Sequence, residues 1–230
     1  GKYIEQDINK AIYYFSLAAN QNISQAQFYL GVIFDEGKYI SKDINKAIYY
    51  YSLAANQNFP EAQYSLGCIY YEGKYIEQDI NKAIYYFSLA ANQNILQAQF
   101  NIGAIYYEGK YIAPDINIAI YYFILAATQN EARSQFYLGC IYYEGKYIKQ
   151  DINKAIYYYS LSANQNCPQS QHNLAKIYYE GKYINQDINK AIHYYSLSAN
   201  QNYPQAQYDF ANIYYEGKYV KQDINKAIHY

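Results

Sequence analysis

Three cysteines, three histidines and nineteen carboxylates are the residues of this chain that could serve as nucleophiles, metal ligands or acid–base groups. Cys68, Cys140 and Cys167 are odd in number, so no disulfide framework uses all of them, and plain thiols in a reducing compartment are expected. A metal site needs converging ligands. His172, His193 and His229 each stand where other copies of an internal repeat carry Tyr or Phe, which reads as one polar aromatic replacing another. Thirteen of the nineteen carboxylates recur at two fixed repeat positions, as capping and loop residues do and as a single active-site pair does not. The recurring Gly-Lys is no phosphate loop, because Tyr follows the Lys and no Gly stands five residues earlier. Asn22-Ile23-Ser24 forms one glycosylation sequon, but other copies carry Pro, Leu or Ala in place of Ser24, so it reads as drift. No catalytic, cofactor-binding or metal-binding residue is assigned, and the chain is read as non-enzymatic.

The repeat organises everything else. Gly-Lys-Tyr-(Ile/Val) begins at Gly1, Gly37, Gly73, Gly109, Gly145, Gly181 and Gly217, always 36 residues apart and without insertion. Such a period specifies a solenoid: one array over residues 1–230, with units starting at 1, 37, 73, 109, 145 and 181 and a partial unit at 217–230. There is no Met, the phase starts in a loop and it stops within a helix, so the chain is read as a piece of a longer array. A hydrophobic share of 52% excludes disorder. The lack of any run of about eighteen apolar residues argues against membrane insertion. A net charge of −1 argues against nucleic acid. The thiols and the missing leader point to the cytoplasm.

Within a unit, numbered from its Gly, two helices are expected. Positions 7–20, Asp43 to Asn56 in the second copy, place Ile44, Ala47, Ile48, Tyr51, Ala54 and Ala55 on one face, with Asn45, Tyr49, Ser52 and Asn56 opposite. Asp43 is a favourable N-cap, and Asn58 can take the left-handed conformation that ends a helix. Positions 24–36, Pro60 to Glu72, form the second helix, with Pro in its first turn and Gly73 as its stop. Small residues at positions 11, 18, 19, 26 and 31 let large Tyr and Ile side chains interlock between layers. One pair cannot bury its apolar faces alone; stacked pairs can. The fold expected is an all-α solenoid of antiparallel helix pairs.

Ala62-Gln63, Leu66-Gly67, Tyr70, Gly73, Asp79, Lys82-Ala83, Tyr86-Phe87 and Ala90-Ala91 together resemble the Sel1-like repeat, a relative of the tetratricopeptide repeat with a longer internal loop. The resemblance covers nearly the whole chain. Two positions depart from it: Tyr39 or Tyr75 replaces the second loop Gly, and Asn58 or Asn94 replaces the Gly after the helix. It implies a right-handed α-solenoid and a scaffold or adaptor for protein complexes. It also leaves open a regulatory segment of a larger enzyme, such as a protein kinase. Thirty-seven tyrosines among lysines raise single-stranded RNA as a remote alternative. Seventeen Lys and one Arg against nineteen acids leave no basic stripe for it.

Copies differ most along one stripe of the 24–36 helix, at positions 25, 29, 32 and 36, whose spacing of four, three and four keeps them on one side. Position 29 reads Tyr29, Ser65, Asn101, Tyr137, Asn173, Asp209; position 32 reads Val32, Cys68, Ala104, Cys140, Lys176, Asn212. This mixed chemistry fits exposure, either as an unselected solvated face or as a recognition groove. The resemblance implies that the helix carrying it lines a concave surface. These twelve residues are the candidate groove for a protein or peptide ligand, with Tyr29 and Tyr137 as anchors and Glu36, Glu72, Glu108, Glu144 and Glu180 as an acidic edge. No cofactor is expected and a small-molecule ligand is disfavoured. In the fourth copy Ile118 replaces Lys and Ile124 replaces Ser, which reads either as drift or as a second contact on the outer face.

Overall fold

The computed structural model describes residues 8–38 and 40–225; Gly1, Tyr39 and His229 lie outside them. The described residues form twelve α-helices and no strand. They fall into two compact units, residues 1–115 and 116–230. The first holds α1 (Ile8–Asn20), α2 (Ser24–Glu36), α3 (Ile44–Asn56), α4 (Pro60–Glu72), α5 (Ile80–Asn92) and α6 (Leu96–Glu108). The second holds α7 (Ile116–Thr128), α8 (Ala132–Glu144), α9 (Ile152–Asn164), α10 (Pro168–Glu180), α11 (Ile188–Ala199) and α12 (Pro204–Glu216).

The helix ends are where local chemistry puts them. Asp43, Asp79, Asp151 and Asp187 accept from the backbone N–H three residues on, at 2.9–3.0 Å. Each also lies within 4.0 Å of the Lys at that position, an exposed pair worth a few tenths of a kcal/mol. Pro60, Pro168 and Pro204 open α4, α10 and α12, where a missing N–H costs nothing. After α3, Asn58 is left-handed (φ 59°); its N–H bonds Ala55 O, and Phe59 N–H bonds Ala54 O, the Schellman pattern. Asn therefore does the work of the missing Gly at all six such turns. Gly73 ends α4 at φ 60°, and a Cβ there would lie 2.5 Å from Cβ of Gln78 in the returning loop.

Within each unit an even-numbered helix packs closely on the odd-numbered helix that follows it: α2 on α3 and α4 on α5 in the first, α8 on α9 and α10 on α11 in the second. The approach is set by position 31. A Cβ on Gly67 would lie 2.5 Å from the Phe87 ring, and one on Gly139 would lie 2.4 Å from the Tyr159 ring, so these rings sit flat on bare backbone. Phe87 is fully buried, as are Leu66, Ala83 and Ala90; its removal from water stabilises by about 2–3 kcal/mol. At the rim, Tyr70 stacks on Tyr86 and Tyr142 on Tyr158, with centroids 5.8 Å apart and planes within 4°. Lys82 and Lys154 lie over the Tyr70 and Tyr142 rings at 5.0 and 4.9 Å, a cation–π cover.

A polar ladder runs through this apolar packing. Gln27, Gln63, Gln99, Gln135 and Gln171 are buried, and each donates Nε2–H to a carbonyl near the end of the preceding helix, Ala19, Ala55, Ala91, Ala127 and Ala163 respectively. The side-chain oxygens of Gln27, Gln63, Gln135 and Gln171 accept from Gln57, Gln93, Gln165 and Gln201 one repeat later, at 2.7–2.8 Å. One amide thus satisfies its own helix pair and ties it to the next. A buried amide without such partners would cost several kcal/mol.

Candidate functional site

Within each unit the even-numbered helices touch directly, α4 against α6 and α8 against α10, and so lie side by side on one face. The twelve stripe residues are all on these helices. None is fully buried: Tyr29 and Lys176 are exposed, and Val32, Ser65, Cys68, Asn101, Ala104, Tyr137, Cys140, Asn173, Asp209 and Asn212 are half-buried. Their helical neighbours Leu30, Leu66, Ile102, Leu138 and Leu174 have no exposed surface. The variable positions form the accessible side of a face whose other side is core.

The two anchor tyrosines are braced. Tyr29 stacks on Phe15 at 5.4 Å and meets Phe28 at 5.6 Å. Tyr137 lies parallel to Phe123 at 5.1 Å and against Phe136 at 5.6 Å. A ring held by two others has little rotamer freedom left to lose when a partner covers it.

Each unit has a hollow beside its stripe residues. One, about 130 Å³, lies between α2 and α4 and is walled by Asp35, Tyr64, Ser65, Cys68 and Glu72, with Tyr75 from the loop after α4. The other, about 200 Å³, lies between α8 and α10, with Tyr159 at its floor and Cys140, Tyr143, Glu144, Asn173 and Lys176 around it. The sequence-predicted stripe residues Ser65 and Cys68 meet in the first; Cys140, Asn173 and Lys176 meet in the second. Tyr159 Oη donates to Cys140 Sγ at 3.4 Å. Burial pushes the Cys140 thiol up to about 11, against the opposing pull of that hydrogen bond, and burial likewise raises Cys68 to about 11. Both thiols stay protonated at neutral pH and are poor nucleophiles. Cys68, Cys140 and Cys167 are all free.

His172 belongs to a pair that the sequence reading missed. Its Nε2 lies 2.8 Å from Asp209 Oδ2, joining α10 to α12, with Tyr195 and Tyr203 rings 5.8 and 5.4 Å away. The partner stands 37 residues on, at the next copy's position 29; only two substitutions in neighbouring columns of consecutive copies could have signalled it. His193 is exposed and meets Tyr194 edge-on at 5.2 Å, as the Tyr of other copies does. Among the described residues no group of three or more His, Cys, Asp or Glu could hold a metal ion. No helix there is long and apolar enough to cross a membrane. Sequence reading also missed Glu131, a buried carboxylate that caps α8 through Ser134 N–H and accepts from Arg133 Nε at 2.8 Å. On α7, Ile124 is exposed, as expected of an outward position, and Ile118 is half-buried.

Comparison with known proteins fixes the family. The Sel1 repeat model matches residues 1–23, 24–59, 60–95, 96–131, 132–167, 168–203 and 204–230. Its phase begins at the even-numbered helices, so its unit is the closely packed hairpin rather than the segment that starts at Gly. Among solved structures, the chain is similar to a protective antigen of uropathogenic Escherichia coli displaying an SLR fold (29% identity, TM-score 0.90), covering 97% of this chain and 48% of the antigen's. It is also similar to a Sel1 repeat protein from Oxalobacter formigenes (28% identity, TM-score 0.84), covering 99% of this chain and 66% of that one. The chain thus spans about half the length of the first and 66% of the second. No curated protein matches it. The twelve helices, their 36-residue period and these neighbours describe an all-α solenoid, a fold that generally serves protein interaction. With matches along its whole length, the chain belongs to the Sel1 repeat family.

Proposed function

We propose that this chain is a non-catalytic scaffold whose even-numbered helices hold a protein or peptide ligand on the stripe positions of each unit, Tyr29 to Ala104 in the first and Tyr137 to Asn212 in the second. The observation that supports the reading most is the coincidence of two independent patterns. The positions that vary between copies are the accessible ones, while the columns beside them, Leu66 or Leu138 for example, are closed to solvent and almost unchanged. A structural face would keep the chemistry of its columns. A recognition face changes it, because each position meets a different part of the partner.

The braced rings of Tyr29 and Tyr137 would carry most of the affinity, as aromatic anchors do in other interfaces. Selection of peptides from an unbiased display library against the whole chain, followed by titration calorimetry, tests this. The triple variant Tyr29→Ala/Tyr137→Ala/Lys176→Ala is expected to weaken selected peptides by about 2 kcal/mol or more, with helix content by circular dichroism unchanged. Selected peptides that bind the triple variant as tightly as the parent would refute the stripe as the binding face.

A further inference from the structure

A Lys-Tyr pair follows each of α4, α6, α8, α10 and α12, one residue past the Gly that ends the helix. At Tyr111, Tyr183 and Tyr219 the pair has a third member. Lys110, Lys182 and Lys218 lie over the rings of these tyrosines at 4.7–4.8 Å and also bond the phenol oxygens. A glutamine from the loop one repeat earlier reaches the same oxygen: Gln78, Gln150 and Gln186 respectively, with Gln186 Nε2–H donating to Tyr219 Oη at 3.3 Å. Each glutamine is itself anchored, since its Nε2 also donates to the carbonyl of Tyr71, Tyr143 or Tyr179 at 2.5–2.6 Å. The ring of that anchoring tyrosine meets the phenol edge-on, at 6.1, 6.2 and 5.6 Å. Every such cluster is complete inside one compact unit, Tyr111 in the first, Tyr183 and Tyr219 in the second.

Two donors on one phenol oxygen favour its ionised form. The lysine ammonium first and the glutamine amide second hold these three phenols below the ordinary tyrosine range, opposed by the carboxylates of Glu108, Glu180 and Glu216. A phenolate is the nucleophilic form of tyrosine. The same ammonium and amide stand ready to hold the oxygens of a tetrahedral centre under attack. Other exposed tyrosines lack this environment. Tyr49, Tyr85 and Tyr157 are 58–59% exposed, more open than the three clustered phenols at 36–42%. Among the described residues no side chain donates to their oxygens. Tyr147 has Lys146 over its ring at 4.8 Å, but the copy before it carries Pro114 where the glutamines stand, and a proline side chain offers no amide.

We propose that Tyr111, Tyr183 and Tyr219 are covalent modification sites: phenols that take a phosphoryl or sulfonyl group from an activated donor ahead of the more exposed tyrosines. The phenol oxygen bonds to the electrophilic phosphorus or sulfur, the bond from that atom to the leaving group breaks, and the phenolic proton passes to solvent. Nothing is oxidised or reduced. The chemistry is independent of what the stripe helices hold.

The test is labelling of the whole chain at mildly alkaline pH with an arylsulfonyl fluoride, fluoride being the leaving group, and with an alkyl fluorophosphonate in a parallel arm. Peptide mass spectrometry reads the rate at each tyrosine. Tyr183 and Tyr219 are expected to label at least about fivefold faster than Tyr157, and Tyr111 faster than Tyr85 by a similar factor. Gln150→Leu should slow Tyr183 about threefold and leave Tyr219 unchanged in the same molecule, which removes misfolding as an explanation. Lys182→Met should slow Tyr183 further, because the ammonium is the stronger influence. The pH at which Tyr183 labelling levels off should be lower in the parent than in Gln150→Leu. Rates that follow exposure, with Tyr49, Tyr85 and Tyr157 first, overturn the assignment. So does a Tyr183 rate indifferent to both the Gln150 and the Lys182 side chains. A preference found in one arm alone supports that class of donor and overturns the other.

Discussion

The α8–α9 and α10–α11 junctions are built from nearly the same sequence and differ at the point of closest approach. Gly139 lies under the Tyr159 ring, and its counterpart Ala175 packs in the same cluster as Tyr195. The extra methyl has a visible consequence. The rim stack is 5.8 Å for Tyr142–Tyr158 and 6.2 Å for Tyr178–Tyr194. The turn bond is 3.2 Å from Cys167 N–H to Ser162 O, and 3.4 Å from Tyr203 N–H to Ser198 O. The glutamine link is unmoved, 2.8 Å from Gln165 to Gln135 and 2.7 Å from Gln201 to Gln171. Aromatic packing is thus the compliant part of a junction, and the buried amide link is the fixed part.

The sharpest way to break this comparison is to enlarge position 31 in both places. Gly139→Val puts branched carbon into a ring contact that lacks room even for a Cβ, and should lower unfolding free energy by about 3 kcal/mol. Ala175→Val enters a junction that has already opened and should cost about 1–2 kcal/mol. Urea denaturation of both variants measures the difference. Equal losses would mean that the wider stack at α10–α11 has another cause.

What the sequence could reveal follows the same division. Helix ends were legible because their causes are local: Asp43 caps, Pro60 starts and Gly73 stops within one turn of the residue responsible. The small-residue columns were legible as close approach, since Ala and Gly opposite Tyr and Phe have few other uses. The glutamine ladder was not. A buried Gln and a surface Gln look alike in sequence, and the partners of Gln63 stand 8 residues back and 30 residues on. The available clue was phase, because Gln63 shares its helix face with Leu66, Gly67 and Tyr70. For the stripe, variation between copies marks twelve positions on one side of a helix, of which Tyr29 and Lys176 are exposed and the rest half-buried. The hollows needed coordinates, since Tyr75 and Tyr159 reach them from outside the stripe helices.

If the amide link is the fixed part, both junctions should need it equally. Gln135→Leu removes the bonds to the Ala127 carbonyl, which keeps its turn bond from Asn130 N–H, and to the exposed Gln165 amide. Gln171→Leu removes those to Ala163, which keeps Asn166 N–H, and to the exposed Gln201. Each should cost about 1–2 kcal/mol, the net worth of two lost hydrogen bonds. The two losses should agree within about 0.5 kcal/mol despite the different ring spacing. A clearly smaller loss at Gln171 would show that the wider junction depends less on this link.

The smallest effects concern four serines that replace alanine in this unit, and they should differ in sign. Ser162 and Ser198 Oγ donate to Ala132 O and Pro168 O of the preceding repeat at 2.8 Å. Ser134 and Ser170 Oγ are buried with no hydrogen-bond partner. Ser134→Ala removes an orphan hydroxyl and improves helix propensity, so it should raise stability by about 1 kcal/mol. Ser162→Ala gains the same propensity but loses a real bond, and should lower stability by about 0.5 kcal/mol. One chemical change, made on the two helices of the same junction, α8 and α9, then separates intrinsic helix preference from the inter-repeat tie. Thermal melts of the two single variants and the double variant decide it: shifts of the same sign would mean that propensity alone governs these positions, and that the serine bonds between repeats carry no net stability.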